Sequence, residues 1–319
     1  MGKVDSAAKE YFSDNNKFAD LCNGILFEGE QVITPEALEE RDSTEVLSVF
    51  GIDPEQMHLQ KWRDLLKNAV VKTTQNICIV LFGIEAQANV HYAMPVKNML
   101  YDGINYGNQV NQAAKRHRRK QDTSGDEFLS GFTIEDKLTP VVTITLYLGD
   151  REWNAPRNLK DMFPTLDERL LPFISDYKAN VIIPGEMEDF DRFKTDLKQV
   201  LEVLSASGNK DRMKEILDKD QQFKNLTYET VKTINDFAGT DIPLNQKGSV
   251  IDMCKAWKDQ FDSGIEQGME QGLAKGIVET SMEFHLSEED ILAKLQEKLN
   301  ITLQKAREYF VMFGKQPIH

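Results

Sequence analysis

The sequence predicts an α+β fold, with a front half in which helices surround a small sheet and a back half made of helix alone. Three observations carry this. Two β-type runs, Leu65–Val71 and Ile77–Val90, flank a short polar turn, and a third at Leu138–Leu148 is rich in β-branched residues. A helical segment from Met94 to Arg119 lies between the second and third. After Pro184 the strand signals stop, and the apolar spacing is helical from there on.

Taken in order, Asp14-Asn15-Asn16 reads as a helix start ahead of Phe18, Leu21, Ile25 and Leu26, and Gly29 ends that helix. Thr34-Pro35 has the form of a cap with proline at the first helical position, predicting a helix to Glu40. Residues 44–60 fit neither period. Ile77–Val90 is apolar nearly throughout, as a strand buried on both faces would be, and Cys78 inside it reads as a small buried residue. On the Met94–Arg119 helix, Val96, Met99, Leu100, Gly103 and Ile104 share a face. Gln121–Gly131 reads as a polar loop, and Ala179–Pro184 as a further strand. Helices are expected over 190–206, 211–223, 227–237 and 249–261, with final ones over 288–313. Between them Gly264, Gly268, Gly272 and Gly276 recur every fourth residue, a single stripe on a helix. Four glycines cost a helix roughly 4 kcal/mol against alanine. Such a stripe suits either close helix–helix approach or a flexible linker.

The chain has 319 residues, 40% hydrophobic and 28% charged, which describes a folded globular protein. No apolar run is long enough for a membrane span. The start, Met1–Ser6, lacks the apolar centre of a secretory signal and matches only the short Met-Gly-x-x-x-Ser acylation pattern. Three widely spaced cysteines make neither a zinc ribbon nor a disulfide framework. The expected location is cytoplasmic. A net charge of −14 argues against sequence-independent coating of nucleic acid, yet leaves room for a local basic strip. One exists: Lys115-Arg116-His117-Arg118-Arg119-Lys120, at the end of the long helix. It is either a DNA-backbone contact or a solvated helix end favoured by the macrodipole.

The chemistry to explain is the acid at each end of the first hairpin. Asp64 precedes the first strand; Glu85 ends the apolar strand, with Gln87 two positions on and therefore on the same face. A carboxylate there needs compensation. A divalent cation is one form, since Asp64, Glu85 and a backbone carbonyl are hard oxygen ligands. A turn cap at Asp64 and a lysine partner for Glu85 are the other. Lys97 and Tyr101, four apart on the following helix, share a face. They would meet a phosphate and a base if that face borders a cleft, and otherwise are a solvated lysine and a half-buried tyrosine.

Three blocks, Arg63-Asp64-Leu65-Leu66-Lys67, Leu81-Phe82-Gly83-Ile84-Glu85-Ala86-Gln87 and His91-Tyr92-Ala93-Met94-Pro95-Val96-Lys97-Asn98-Met99-Leu100-Tyr101-Asp102, resemble the recombination-promoting nuclease and putative transposase family. That family belongs to the PD-(D/E)XK nuclease superfamily. Phe18–Leu21, Glu127–Phe132, Asp136–Thr143 and Asp252–Ala256 extend the likeness. The resemblance implies a restriction-endonuclease-like αβββαβ core over 1–185, followed by a helical domain over 186–262. A glycine-striped tail over 263–319 is then a candidate for homo-oligomerisation. It also implies a Mg2+-dependent DNA endonuclease (Mn2+ or Ca2+ being the other candidate ions). Asp64, Glu85 and the Ala86 carbonyl would hold the metal, and Asp64, Glu85 and Gln87 would be the catalytic set. Lys97, Tyr101, Lys115, Arg116, Arg118 and Arg119 are then candidate DNA contacts. Gln87 stands where the superfamily has lysine, and a glutamine hydrogen-bonds without carrying charge. The rival expectation is a nuclease-fold protein of weak or no activity that binds DNA or protein. A transposase in the full sense finds no residue support, since no DDE arrangement can be placed.

Overall fold

A computed structural model describes residues 3–41, 65–72, 77–244 and 246–314. The chain divides into two compact units, Met1–Val250 and Ile251–His319. The first is mixed α/β around a five-stranded mixed sheet; the second is helical.

Helices α1 (Lys3–Ser13) and α2 (Asn15–Leu26) meet at Asp14, whose carboxylate accepts from the Asn16 backbone N–H at 2.8 Å, the predicted cap. The Thr34-Pro35 signature yields one 3-10 turn only, Pro35–Ala37. The chain then extends into β1 (Leu38–Glu40), where a helix was expected, because its backbone pairs with a neighbouring strand. Strands β2 (Leu65–Lys72) and β3 (Ile77–Gln87) form the predicted hairpin, and α3 (Met94–Lys120) crosses back to β4 (Val141–Tyr147). The expected loop at 121–131 contains a short helix, α4 (Gly125–Ser130). Strand β5 (Asn180–Ile182) completes the sheet in spatial order β1-β2-β3-β4-β5. The β1/β2 and β2/β3 pairs are antiparallel, and β3/β4 and β4/β5 are parallel. A helical crossover is what a parallel pair requires.

Alternation sorts the side chains between two faces. Lys67, Phe82 and Ile84 lie on the face that α1 approaches, while Leu66, Leu81 and Val141 pack with Tyr106 of α3 on the other. Burial of β3 fades toward its start: Cys78, expected inside, is exposed, and so is Ile79. The continuous apolar run overstated how far the cover reaches.

Helices α5 (Leu197–Ser205), α6 (Lys210–Lys219) and α7 (Tyr228–Ala238) follow, with strand β6 (Leu226–Thr227) just before α7. α7 packs on α1, and α5 packs on α2. Asp20 of α2 accepts from Lys194 N (2.8 Å), Thr195 N (2.7 Å) and Thr195 Oγ1 (2.6 Å), fixing the entry to α5. A Cβ on Gly24 would sit 2.2 Å from the Phe193 ring, so that contact requires glycine. The composition shift near 184 therefore falls inside the first unit and does not divide the chain, because these helices bury their apolar faces against the helices that cover the sheet.

Glu202 on α5 lines an acidic cleft of about 830 Å³ with Asp191, Lys198 and Asp220. Its Oε2 is buried without a hydrogen-bond partner among the described residues. Burial pushes the carboxyl up to about 7, helped by Asp220 and Asp191 and opposed by Lys198. As pH rises from the ordinary 4.5 to about 7, an unfolded chain releases this proton while the fold retains it. Stability from this group is thus complete below 4.5 and lost through that window. Glu202→Gln should flatten the slope, gaining on the order of 1 kcal/mol at pH 8, after discounting for solvent screening, and little at pH 4. Paired urea titrations at the two pH values check this.

In the second unit, after β7 (Val250–Ile251) at the division, α8 (Met253–Glu283) runs 31 residues without a break. The expected boundary at 262/263 lies within it. The glycine stripe is therefore helix and not linker. A Cβ on any of the four glycines would meet open space among the described residues. α9 (Glu288–Leu299) and α10 (Leu303–Phe313), capped by Ser287 and Thr302, close a core of Ala274, Val278, Ile291, Leu295 and Tyr309.

Candidate functional site

The site forms where β3 and β4 end side by side beneath the first turns of α3. Glu85 pairs with Thr145 and Gln87 with Tyr147 in the parallel register, so Glu85 and Gln87 point to the α3 side. Glu85 is 4% exposed. Lys97, one turn into α3, donates to Glu85 Oε1. The Gln87 amide nitrogen reaches the same oxygen at 3.3 Å and the Ala86 carbonyl at 3.0 Å. A carboxylate oxygen and a backbone carbonyl thus converge on one small region already occupied by N–H donors.

Deeper along α3 the contact with β4 is polar. Asn98 Nδ2 donates to Thr145 Oγ1 at 2.9 Å, and Asp102 accepts from Thr143 Oγ1 at 2.6 Å and Tyr177 OH at 2.5 Å. All but Tyr177 are buried. The face of α3 turned to the sheet is therefore Met94, Asn98, Tyr101, Asp102 and Asn105, and not the Val96–Ile104 stripe read from the sequence, whose Leu100 is exposed. Sequence reasoning missed this network. Its trace was there: polar residues at i, i+4 and i+7 on the helix, and threonines at i and i+2 on the strand.

The predicted site residues are only partly brought together. Glu85, Ala86, Gln87 and Lys97 form one cluster, while Asp64 lies outside the described residues. Among those described, no group of three or more His, Cys, Asp or Glu is placed to hold a metal. Lys97 turns to a carboxylate and not outward to a phosphate, with its Nζ 6.0 Å from the Tyr101 ring centre. Tyr101, 4% exposed, offers no stacking face. The basic run sits at the opposite end of α3, about 33 Å away along the axis at 1.5 Å per residue.

That run is itself divided. Arg116 pairs with Asp136 Oδ1 at 2.7 Å, and the His117 ring nitrogens meet Asp122 Oδ1 and Asp136 Oδ2, each at 2.7 Å. A neutral imidazole has one N–H, so two carboxylate partners require the imidazolium. Hydrogen bonding to Asp122 and Asp136 accordingly raises the His117 pKa. The Thr133 backbone N–H, with the imidazolium, holds Asp136 well below the usual carboxylate range. Lys115, Arg118, Arg119 and Lys120 are exposed, without an ion pair among the described residues.

No protein-family model, curated protein or solved structure matches this chain.

Proposed function

We propose that this protein is a divalent-metal-dependent DNA endonuclease of the PD-(D/E)XK kind, the activity implied by its resemblance to the recombination-promoting nucleases. The observation that carries the reading is Glu85, a buried carboxylate at the end of a central strand, with Gln87 and Lys97 both donating to its Oε1. The chain order helix, three antiparallel strands, crossover helix and parallel strand supports the αβββαβ reading. The donor set fits a hard cation: the Glu85 carboxylate and Ala86 carbonyl converge, and oxygens of these kinds suit Mg2+ or Ca2+. Asp64, Glu85 and Ala86 would hold it. When bound, the cation would activate water and neutralise charge on the phosphoryl oxygens. Lys97 supplies the fixed positive charge that glutamine at 87 cannot, and Gln87 orients the Glu85 carboxylate.

A second reading has its own support. Lys97 already compensates Glu85, as a purely structural ion pair would, which favours a nuclease-fold protein without activity. Supercoiled plasmid incubated with the full chain and Mg2+ separates the two. Nicking is expected, and Glu85→Gln, close to isosteric, should lower it by at least a hundredfold while far-UV circular dichroism stays unchanged. Equal cutting by Glu85→Gln and Asp64→Asn would overturn the metal site; no cutting by the parent with Mg2+, Mn2+ or Ca2+ would favour the second reading.

A further inference from the structure

The inner face of α3 stays polar beyond the Glu85 cluster, where a helix lying on a sheet ordinarily buries apolar side chains. Asn105, Asn108, Gln109 and Gln112 fall at i, i+3, i+4 and i+7, one stripe that continues the sheet-facing side of the helix. They line one side of a cleft of about 130 Å³. Strands β2 and β3 line the other: Leu66 and Leu81 give it an apolar floor, and Asn68 stands beside them with Arg41. With its amide oxygen turned to the donors, Asn68 accepts from Arg41 Nε at 2.6 Å and Nη2 at 2.7 Å, which fixes the guanidinium. Gln109 is fixed as well, donating to Thr139 O at 3.0 Å and accepting from Thr139 N at 2.6 Å. Among the described residues no carboxylate lines this cleft, although the chain carries a net charge of −14.

We infer that the cleft binds a nucleobase of pyrimidine size. A carboxamide presents a donor and an acceptor side by side, as a base edge does, and the guanidinium adds donors for a base carbonyl. The leucine floor takes the face of the ring. Volume selects a single ring, since a cavity of about 150 Å³ holds one benzene. A simple anion fits less well. Asn68 already takes two of the Arg41 N–H groups, and carboxamide oxygens would face the anion together with the N–H groups. Glu39, opposite Asn68 in the β1/β2 register, adds an exposed carboxylate close by. Leu81 and Glu85 lie four residues apart on the α3 side of β3, about 14 Å at about 3.4 Å per residue, so cleft and candidate site share one groove. A strand with a phosphate at Glu85 can therefore deliver a base a few nucleotides away. That base has to be unpaired, because pairing occupies the edge that the amides read. The strand as source of the base rests on the endonuclease reading; the chemistry of the cleft does not, since a free nucleotide offers the same edge.

The test reads binding without cleavage, by fluorescence anisotropy of labelled 25-base-pair duplexes with the full chain in EDTA. A duplex with one bulged thymidine should bind at least tenfold tighter than its fully paired counterpart. Asn108→Leu/Gln112→Leu, which fills the cleft and removes two amides, should bring that preference below threefold and leave the paired duplex unchanged. Arg41→Gln, on the opposite side, should lower it about threefold. Thermal melts of both variants should match the parent. Calorimetry with thymidine 5′-monophosphate and with inorganic phosphate separates the sources. Nucleotide binding that the leucines abolish, without a duplex preference, keeps the cleft and assigns it to free nucleotides. Phosphate binding as tightly as the nucleotide makes it an anion site and overturns the inference. So does a bulge preference that survives the leucines, or a parent that neither prefers the bulge nor binds the nucleotide, even where plasmid nicking holds. A parent that prefers the bulge and never nicks sinks the endonuclease and leaves the base cleft standing.

Discussion

Lys97→Met should cost the first unit about 3–5 kcal/mol, the usual result of removing one partner of a buried ion pair. The lysine is mostly buried at α3 and the carboxylate more so at the end of β3, so the variant removes the cation that compensates a desolvated carboxylate, while the Gln87 amide remains. Adding Glu85→Gln should return much of the loss, because the charge needing compensation is then gone. Magnesium distinguishes the two readings of the cluster. On the metal reading, Lys97 of the parent would compete with a cation for Glu85 Oε1. In Lys97→Met that competition is absent, so millimolar Mg2+ should raise the melting temperature of the variant by several degrees and that of the parent by less. Melts by circular dichroism, with and without Mg2+, measure both. A variant destabilised as expected but indifferent to every divalent ion would leave the pair structural and the metal reading without its footing.

Half of this cluster was legible in the sequence. Glu85 and Gln87 fall on one face because a strand alternates, and an acid ending an apolar run demands a partner wherever the run packs. Which partner it has was not legible. Lys97 reaches it only because α3 crosses from β3 to β4 with its polar face inward, while the apolar stripe of the same helix suggested a different rotation. A helix facing Thr143 and Thr145 wants hydrogen-bond partners there, and that preference appears only once β4 is known to lie beside β3. The same limit explains β1. Thr34-Pro35 is a sound local helix signal, and pairing with β2 overrides it after one turn. The basic run was visible as charge, but its division was not. Asp122 and Asp136 lie 5 and 19 residues away from His117, and only the path of the chain between α3 and β4 brings both to the imidazole.

Lys67 is the residue whose importance the sequence hid most fully, and its loss should match that of Lys97. It reads as an ordinary lysine breaking an apolar strand, yet it is 1% exposed on the helix-covered face of β2. Its ammonium donates to Ser13 O at 2.8 Å and Asn15 Oδ1 at 2.7 Å, and sits 4.9 Å from the Phe18 ring centre. Ser13 ends α1 and Asn15 begins α2, so one cation satisfies a terminal carbonyl, complements the α1 dipole and fixes the joint between the helices. Asn15 in turn donates to Pro35 O, linking the joint to the turn before β1. Lys67→Ala should cost about 3–5 kcal/mol through lost charge-assisted hydrogen bonds, orphaned acceptors and a cavity. Lys67→Met, which fills the space, should cost about 2 kcal/mol, from the two acceptors alone. Burial lowers the Lys67 pKa, so its contribution grows as pH rises from the lowered value toward 10.5. Both variants should lack that alkaline rise in urea titrations. An alanine variant within 1 kcal/mol of the parent would mean that the α1–α2 joint holds without its cation, and that the buried charge is tolerated by the fold and does not organise it.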